Sequence, residues 1–329
     1  MMAKERVHWV DVAKGILILL LLIHHFTTAT ERNGIDLSQY SFMTSWTILF
    51  TSFFMQAFFI MSGYCSNFEK PASVFFCGIF KQLIVPFICF EYYICVFNSK
   101  SFLFTNIYSY WIESGGTHLW FLNALIVSKV FIWCYIKCYK SETFLLLTSF
   151  LVFVGAVYLK QNGMGLNFMC LMPSLGSIFF VAFGYVCKNE YIFEKIRNLG
   201  IVFPYILLLL LLFHITIPAF MGGMKVSLKS LPIVVILSIS GTMALINICM
   251  IIKERKVLEF FGRNTLVIYC LHFIPLRIIL GIFNKLIAPI SICDKLLLVF
   301  LVYTSEIIVL IVLIEMFKFK PFRWFIGKF

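Results

Sequence analysis

Of the 329 residues, 61% are hydrophobic and 18% aromatic, with 39 phenylalanines, and only 13% are charged. Soluble domains carry about a quarter charged residues, so these proportions exclude a soluble globular domain. The net charge of +12 does not indicate nucleic acid, because the basic residues fall in loops and at the ends of apolar runs, where they orient a membrane protein.

Apolar runs, broken by charges and turn residues, predict about ten transmembrane helices, near 8–29, 43–64, 74–97, 119–138, 143–160, 168–187, 200–220, 231–252, 260–283 and 296–317. The expected fold is all-α and polytopic, a single integral-membrane domain over residues 1–329. Lys4 and Arg6 before the first run imitate a signal peptide, but Lys14 and the pair His24-His25 interrupt that run. No small-residue cleavage site follows, so the run reads as a retained first helix. If the amino terminus is cytoplasmic, the inside segments hold 16 Lys and Arg and the outside segments 7. That bias predicts both termini in the cytoplasm. The 11 cysteines form no C-x-x-C and no Cys/His cluster, and so read as reduced, mostly buried thiols with no metal site.

Polar residues inside hydrocarbon are costly, so each is a candidate for function. The first span reads WVDVAKGILILLLLIHHF. Asp11 and Lys14 are three apart, share a face and can pair. His25 follows Lys14 by eleven residues, about 16 Å along the axis and close to three full turns, so both face nearly the same way. A neutral imidazole at that depth can take a proton from a hydroxyl. The bland reading is that Lys14 snorkels to the interface and that the histidines anchor a helix end. The second span ends FFIMSGYC, where Ser62 and Tyr64 offer hydroxyls around Gly63. The third holds Lys81, Pro86 and Glu91, and the fourth opens with His118 and Trp120, which suit an aromatic belt. The ninth, FFGRNTLVIYCLHFIP, repeats the pattern of the first: Arg263, then His272 nine residues on. Tyr269 shares the face of His272, in position to orient its ring. Glu306 in the tenth span is a carboxylate with Arg277 as its candidate partner.

Together these segments resemble the membrane acyltransferase-3 family of O-acyltransferases. The resemblance rests on Asp11, Lys14, Gly15 and His25, on Phe58, Phe59, Ser62, Gly63 and Tyr64, on Lys81 with Pro86, on LWFL at 119–122, and on GRNTLVIYCLH at 262–272. It runs in order over most of the chain. One departure is Lys14, which stands where the family carries arginine; lysine keeps the charge but loses the bidentate fork. Another is that no appended esterase-like domain is expected. The resemblance implies that His25 is catalytic and that Lys14, Lys81 and Arg263 bind the phosphates of a cytoplasmic acyl-CoA donor. Asp11, Ser62, Tyr64, Tyr269 and His272 would support the cavity.

The function so implied is transfer of an acyl group, acetyl before succinyl, from acyl-CoA to a hydroxyl of a cell-surface or lipid-linked glycan. It implies the cell membrane as location, acyl-CoA as substrate with no permanently bound cofactor, and cell-envelope biosynthesis proteins as partners. The rival reading is a transporter or flippase of a glycan precursor, since buried His, Glu and Lys also suit proton coupling. Matched broken helices in inverted repeats would mark it, and none is visible. A non-catalytic scaffold subunit is the second rival.

Overall fold

The computed structural model describes residues 7–32, 41–99, 119–164, 170–213, 215, 218, 225–252, 255–287 and 292–327. His118 lies outside the described residues. Every regular element among them is helical: α1 (His8–Arg32), α2 (Ser41–Cys65), α3 (Ala72–Ile79), α4 (Val85–Ser99), α5 (Trp120–Cys138), α6 (Glu142–Gln161), α7 (Leu171–Val186), α8 (Glu190–Arg197), α9 (Phe203–Leu212), α10 (Leu231–Ile252), α11 (Lys256–Arg263), α12 (Thr265–Leu271), α13 (Phe273–Ile287), α14 (Ile292–Met316) and α15 (Lys320–Arg323). Eight helical stretches among the described residues are long and apolar enough to cross a membrane, and a bent pair makes up to 9. Each of the ten predicted spans overlaps helix, but α7, at 16 residues, is shorter than a full crossing, and the stretch expected at 200–220 crosses instead over Glu190–Leu212.

Two predicted helices are not continuous. In the third, a five-residue π-helical turn over Phe80–Ile84 joins α3 to α4. Pro86 explains it: proline has no N–H, and its ring crowds the carbonyl four residues back, so the chain widens by a residue instead of kinking. The ninth breaks at Asn264, which closes α11 by donating its side-chain amide to the Phe260 carbonyl at 2.8 Å. It breaks again at His272, where α12 and α13 meet at 52°. Pro275 is the third residue of α13 and cannot donate to the Leu271 carbonyl, so the helical ladder is interrupted there.

The chain divides into two compact units, the first comprising Met1–Phe50 and Ile248–Ile326, the second Thr51–Asn247 and Gly327–Phe329. In the first unit α1 packs along α11, and α13 packs on α14. Glycines set the α1–α11 crossing. A Cβ on Gly15 would stand 2.0 Å from the Leu258 carbonyl oxygen, and one on Gly262 would stand 1.8 Å from that of Asp11. Only glycine permits backbones this close. Phe26 and Ala29 of α1 join Leu276 and Leu280 of α13 and Leu298 and Val302 of α14 in one buried apolar cluster.

In the second unit α7 packs between α5 and α6, with Ser128 and Ser177 hydroxyls 2.7 Å apart in the buried α5–α7 seam. Gly63 of α2 and Gly184 of α7 repeat the reciprocal glycine contact: added Cβ atoms would lie 2.0 and 1.9 Å from the carbonyl oxygens of Val181 and Ile60. The segment after α2 is strapped down by cations and aromatics. Lys188 donates to the Ser66 carbonyl, Lys137 to that of Glu69 at 3.0 Å, and Trp133 to that of Lys70 at 3.1 Å.

Candidate active site

The α1–α11 crossing brings Asp11 beside Arg263. The guanidinium Nε lies 3.4 Å from Asp11 Oδ2, and Nη2 donates to Glu259 Oε2 one turn back on the same helix. His8 Nδ1 stands 3.2 Å from the other Glu259 oxygen. The carboxylates are buried, at 9% and 7% side-chain exposure, whereas Arg263 is 44% exposed. This corrects the expected Asp11–Lys14 pair: Asp11 turns to Arg263, and Lys14 enters no ion pair among the described residues. Helical spacing admits both partners for Asp11; the close glycine crossing favours the one from α11. Glu259 and His8 were not read as site residues, although Glu259, four residues before Arg263, carried the spacing of a helical ion pair.

His25 lies fourteen residues beyond Asp11, about 21 Å along α1. There the adjacent histidines part. His24 stacks on Phe50, with ring centroids 3.8 Å apart and planes at 10°. His25 meets His272, with centroids 4.9 Å apart and planes at 39°. His272 is completely buried and sits at the α12–α13 bend. Its Nδ1 donates to the carbonyls of Ile268 at 3.1 Å and Tyr269 at 2.9 Å. A carbonyl only accepts, so Nδ1 carries the proton, and in the neutral ring Nε2 is the basic nitrogen. Tyr269 was expected to orient this ring from its side chain. It is the Tyr269 carbonyl that does so, while its ring centroid lies 6.4 Å away.

The first unit thus gathers Asp11, His25, Arg263, Tyr269 and His272, with Lys14 on α1 between the cation–carboxylate end and the histidines. Ser62, Tyr64 and Lys81 belong to the second unit. There Tyr64 packs on Phe193 at 5.7 Å, Ser62 is half-buried and Lys81, in the π-helical turn, is exposed. Arg277, the one candidate partner considered for Glu306, is exposed over the Phe273 ring, whereas Glu306 is wholly buried and in no ion pair among the described residues. The two do not meet.

Among the described residues the chain is all helical, with several stretches able to cross a membrane and two tilted histidine rings in contact in one unit. The acyltransferase-3 family, described as an acyltransferase domain, matches residues 7–316, and the chain belongs to it. The protein is therefore a multi-pass membrane acyltransferase. No curated protein and no solved structure matches the chain.

Proposed function

We propose that this acyltransferase moves an acyl group from cytoplasmic acyl-CoA to a hydroxyl of a cell-surface or lipid-linked glycan, with acetyl the preferred group and succinyl the second. The observation that carries the reading is the 4.9 Å approach of His25 to His272. In this reading His25 takes the proton of the acceptor hydroxyl as its oxygen attacks the thioester carbonyl. The carbon–sulfur bond then breaks, and the departing thiolate recovers that proton from the imidazolium. His272, its Nδ1 fixed by two carbonyls, holds the His25 ring in place.

Lys14 is the better phosphate ligand of the first unit, because Arg263 already faces Asp11 and Glu259. Lys81 of the second unit is the further candidate for the donor. Protein orientation, with both termini cytoplasmic in the cell membrane, follows the Lys and Arg bias. Acyl-CoA, the glycan acceptor and cell-envelope biosynthesis proteins are the proposed partners.

The test supplies membranes containing the protein with radiolabelled acetyl-CoA, then succinyl-CoA, and total envelope glycan. The wild type is expected to label the glycan. His25→Ala should lower the rate by about 10²–10⁴-fold at normal expression, the usual worth of a positioned acid–base group. His24→Phe, which keeps a ring on Phe50, should stay close to wild type. Transfer from neither donor would overturn the reading, and equal rates in wild type and His25→Ala would remove His25 from catalysis.

A further inference from the structure

The buried face of α14 is a stripe at four-residue spacing: Leu298, Val302, Glu306, Leu310 and Ile314, each no more than 1% exposed. Four of the five are aliphatic, as a helix seated in an apolar core requires. Glu306 breaks the stripe at its centre. Neither of its carboxyl oxygens has a hydrogen-bond partner among the described residues. A buried polar group left unsatisfied is costly, and a leucine there would avoid that cost. The packing of α14 therefore gives no reason for a carboxyl at this position.

Its depth gives one. Leu276 of α13 and Val302 of α14 lie in the same buried cluster as Phe26, the residue after His25. Four residues separate the end of α13 from the start of α14, so the packed helices run antiparallel. From that shared level, one turn back along α13 reaches His272 and one turn on along α14 reaches Glu306, each about 6 Å away in the same direction. The Tyr303 hydroxyl, one turn from Glu306, donates to the Leu19 carbonyl of α1 at 3.4 Å, which seats this part of α14 against the helix that carries His25.

We propose that Glu306 is a catalytic residue of the acyl-transfer site, presenting its carboxylic acid O–H to the carbonyl oxygen of the acyl thioester that His25 activates the acceptor against. The inference rests on the acyl-transfer reading above. As the acceptor oxygen bonds to the carbonyl carbon, negative charge gathers on the carbonyl oxygen, and a hydrogen-bond donor fixed in a dry site stabilises it. Glu306 keeps its proton throughout. The acceptor proton passes to His25 and then to the departing thiolate, so the balance closes without the carboxyl. A carboxylic acid can serve in this way only where its surroundings are apolar, as they are along this stripe.

The test compares wild type, Glu306→Leu, Glu306→Met and Glu306→Gln for thermal unfolding in detergent and for kcat and KM in the labelled acyl-CoA assay. Loss of one such donor costs about 10²–10³-fold in kcat. The apolar variants should show that loss, with KM little changed and Tm equal to or above wild type. Glu306→Gln, whose amide also donates, should stay within about one order of magnitude of wild type, since it retains the hydrogen bond. Wild-type kcat in either apolar variant overturns the proposal. A lowered Tm in both makes Glu306 structural and overturns it too, as does a Gln variant no better than Leu, which would demand a transferable proton. Absence of transfer by wild type would instead sink the acyl-transfer reading, so the two failures are distinguishable.

Discussion

Arg263 illustrates how a single side chain divides its charge. It lies between Asp11, contributed by another helix, and Glu259, one turn back on its own. The carboxylates are buried and the guanidinium is half in solvent, so the arginine is one partner that helps make two buried carboxylates tolerable. Arg263→Gln is expected to lower stability by about 1–3 kcal/mol, the cost of leaving charged groups without their partner. Asp11→Asn should then cost less in the Arg263→Gln background than in wild type. A double-mutant cycle on thermal unfolding in detergent measures the coupling, and additive losses would show that the pair contributes nothing. Lys14, in no ion pair among the described residues, is the residue whose replacement by Gln should raise KM for the donor while leaving folding intact.

At the scale of elements, the site depends on how closely α1 and α11 approach. Gly15 and Gly262 let each backbone touch the carbonyl of the other helix, and that contact fixes the rotation that turns Asp11 toward Arg263. Gly15→Val or Gly262→Val must push the helices apart, with an expected loss of about 1–3 kcal/mol or more from overpacking. Gly155 in α6 is the control, since an added Cβ meets nothing within 4 Å. Gly155→Ala should leave stability unchanged or raise it by up to about 1 kcal/mol, through helix propensity alone. Equal melting temperatures for all three variants would refute the close-crossing account. The α12–α13 bend is the other element-level device: the ladder interrupted at Pro275 leaves His272 at a corner, its ring turned back onto the carbonyls of α12.

For the whole molecule, the distribution of Lys and Arg is the quantity that sets orientation. Reporters fused after residue 138 and at the carboxyl terminus are expected to read cytoplasmic, and one inserted at Gly163 is expected to read outside. Gly163 suits the insertion, since it is exposed in the turn after α6 with φ at +71°. An outward reading at the carboxyl terminus would reverse the proposed side from which the donor arrives.

The class of the protein was determined by sequence alone. Hydrocarbon tolerates only internally satisfied backbone and few charges, so composition and run length announce each span locally. The same locality made His25, His272 and Arg263 visible, because a charge or imidazole within an apolar run stands out wherever the run folds. What only the tertiary structure decided were the pairings. Asp11 had Lys14 as an acceptable neighbour on its own helix, and the choice of Arg263 came from the glycine crossing. Spacing from Lys14 singled out His25, and the structure adds what each histidine meets: Phe50 for His24 and the ring of His272 for His25. Glu306 was legible as a buried carboxylate, but its separation from Arg277 follows from which face α14 turns inward. Such choices depend on helix rotation and crossing, which are fixed by contacts hundreds of residues apart and leave no trace in a local pattern.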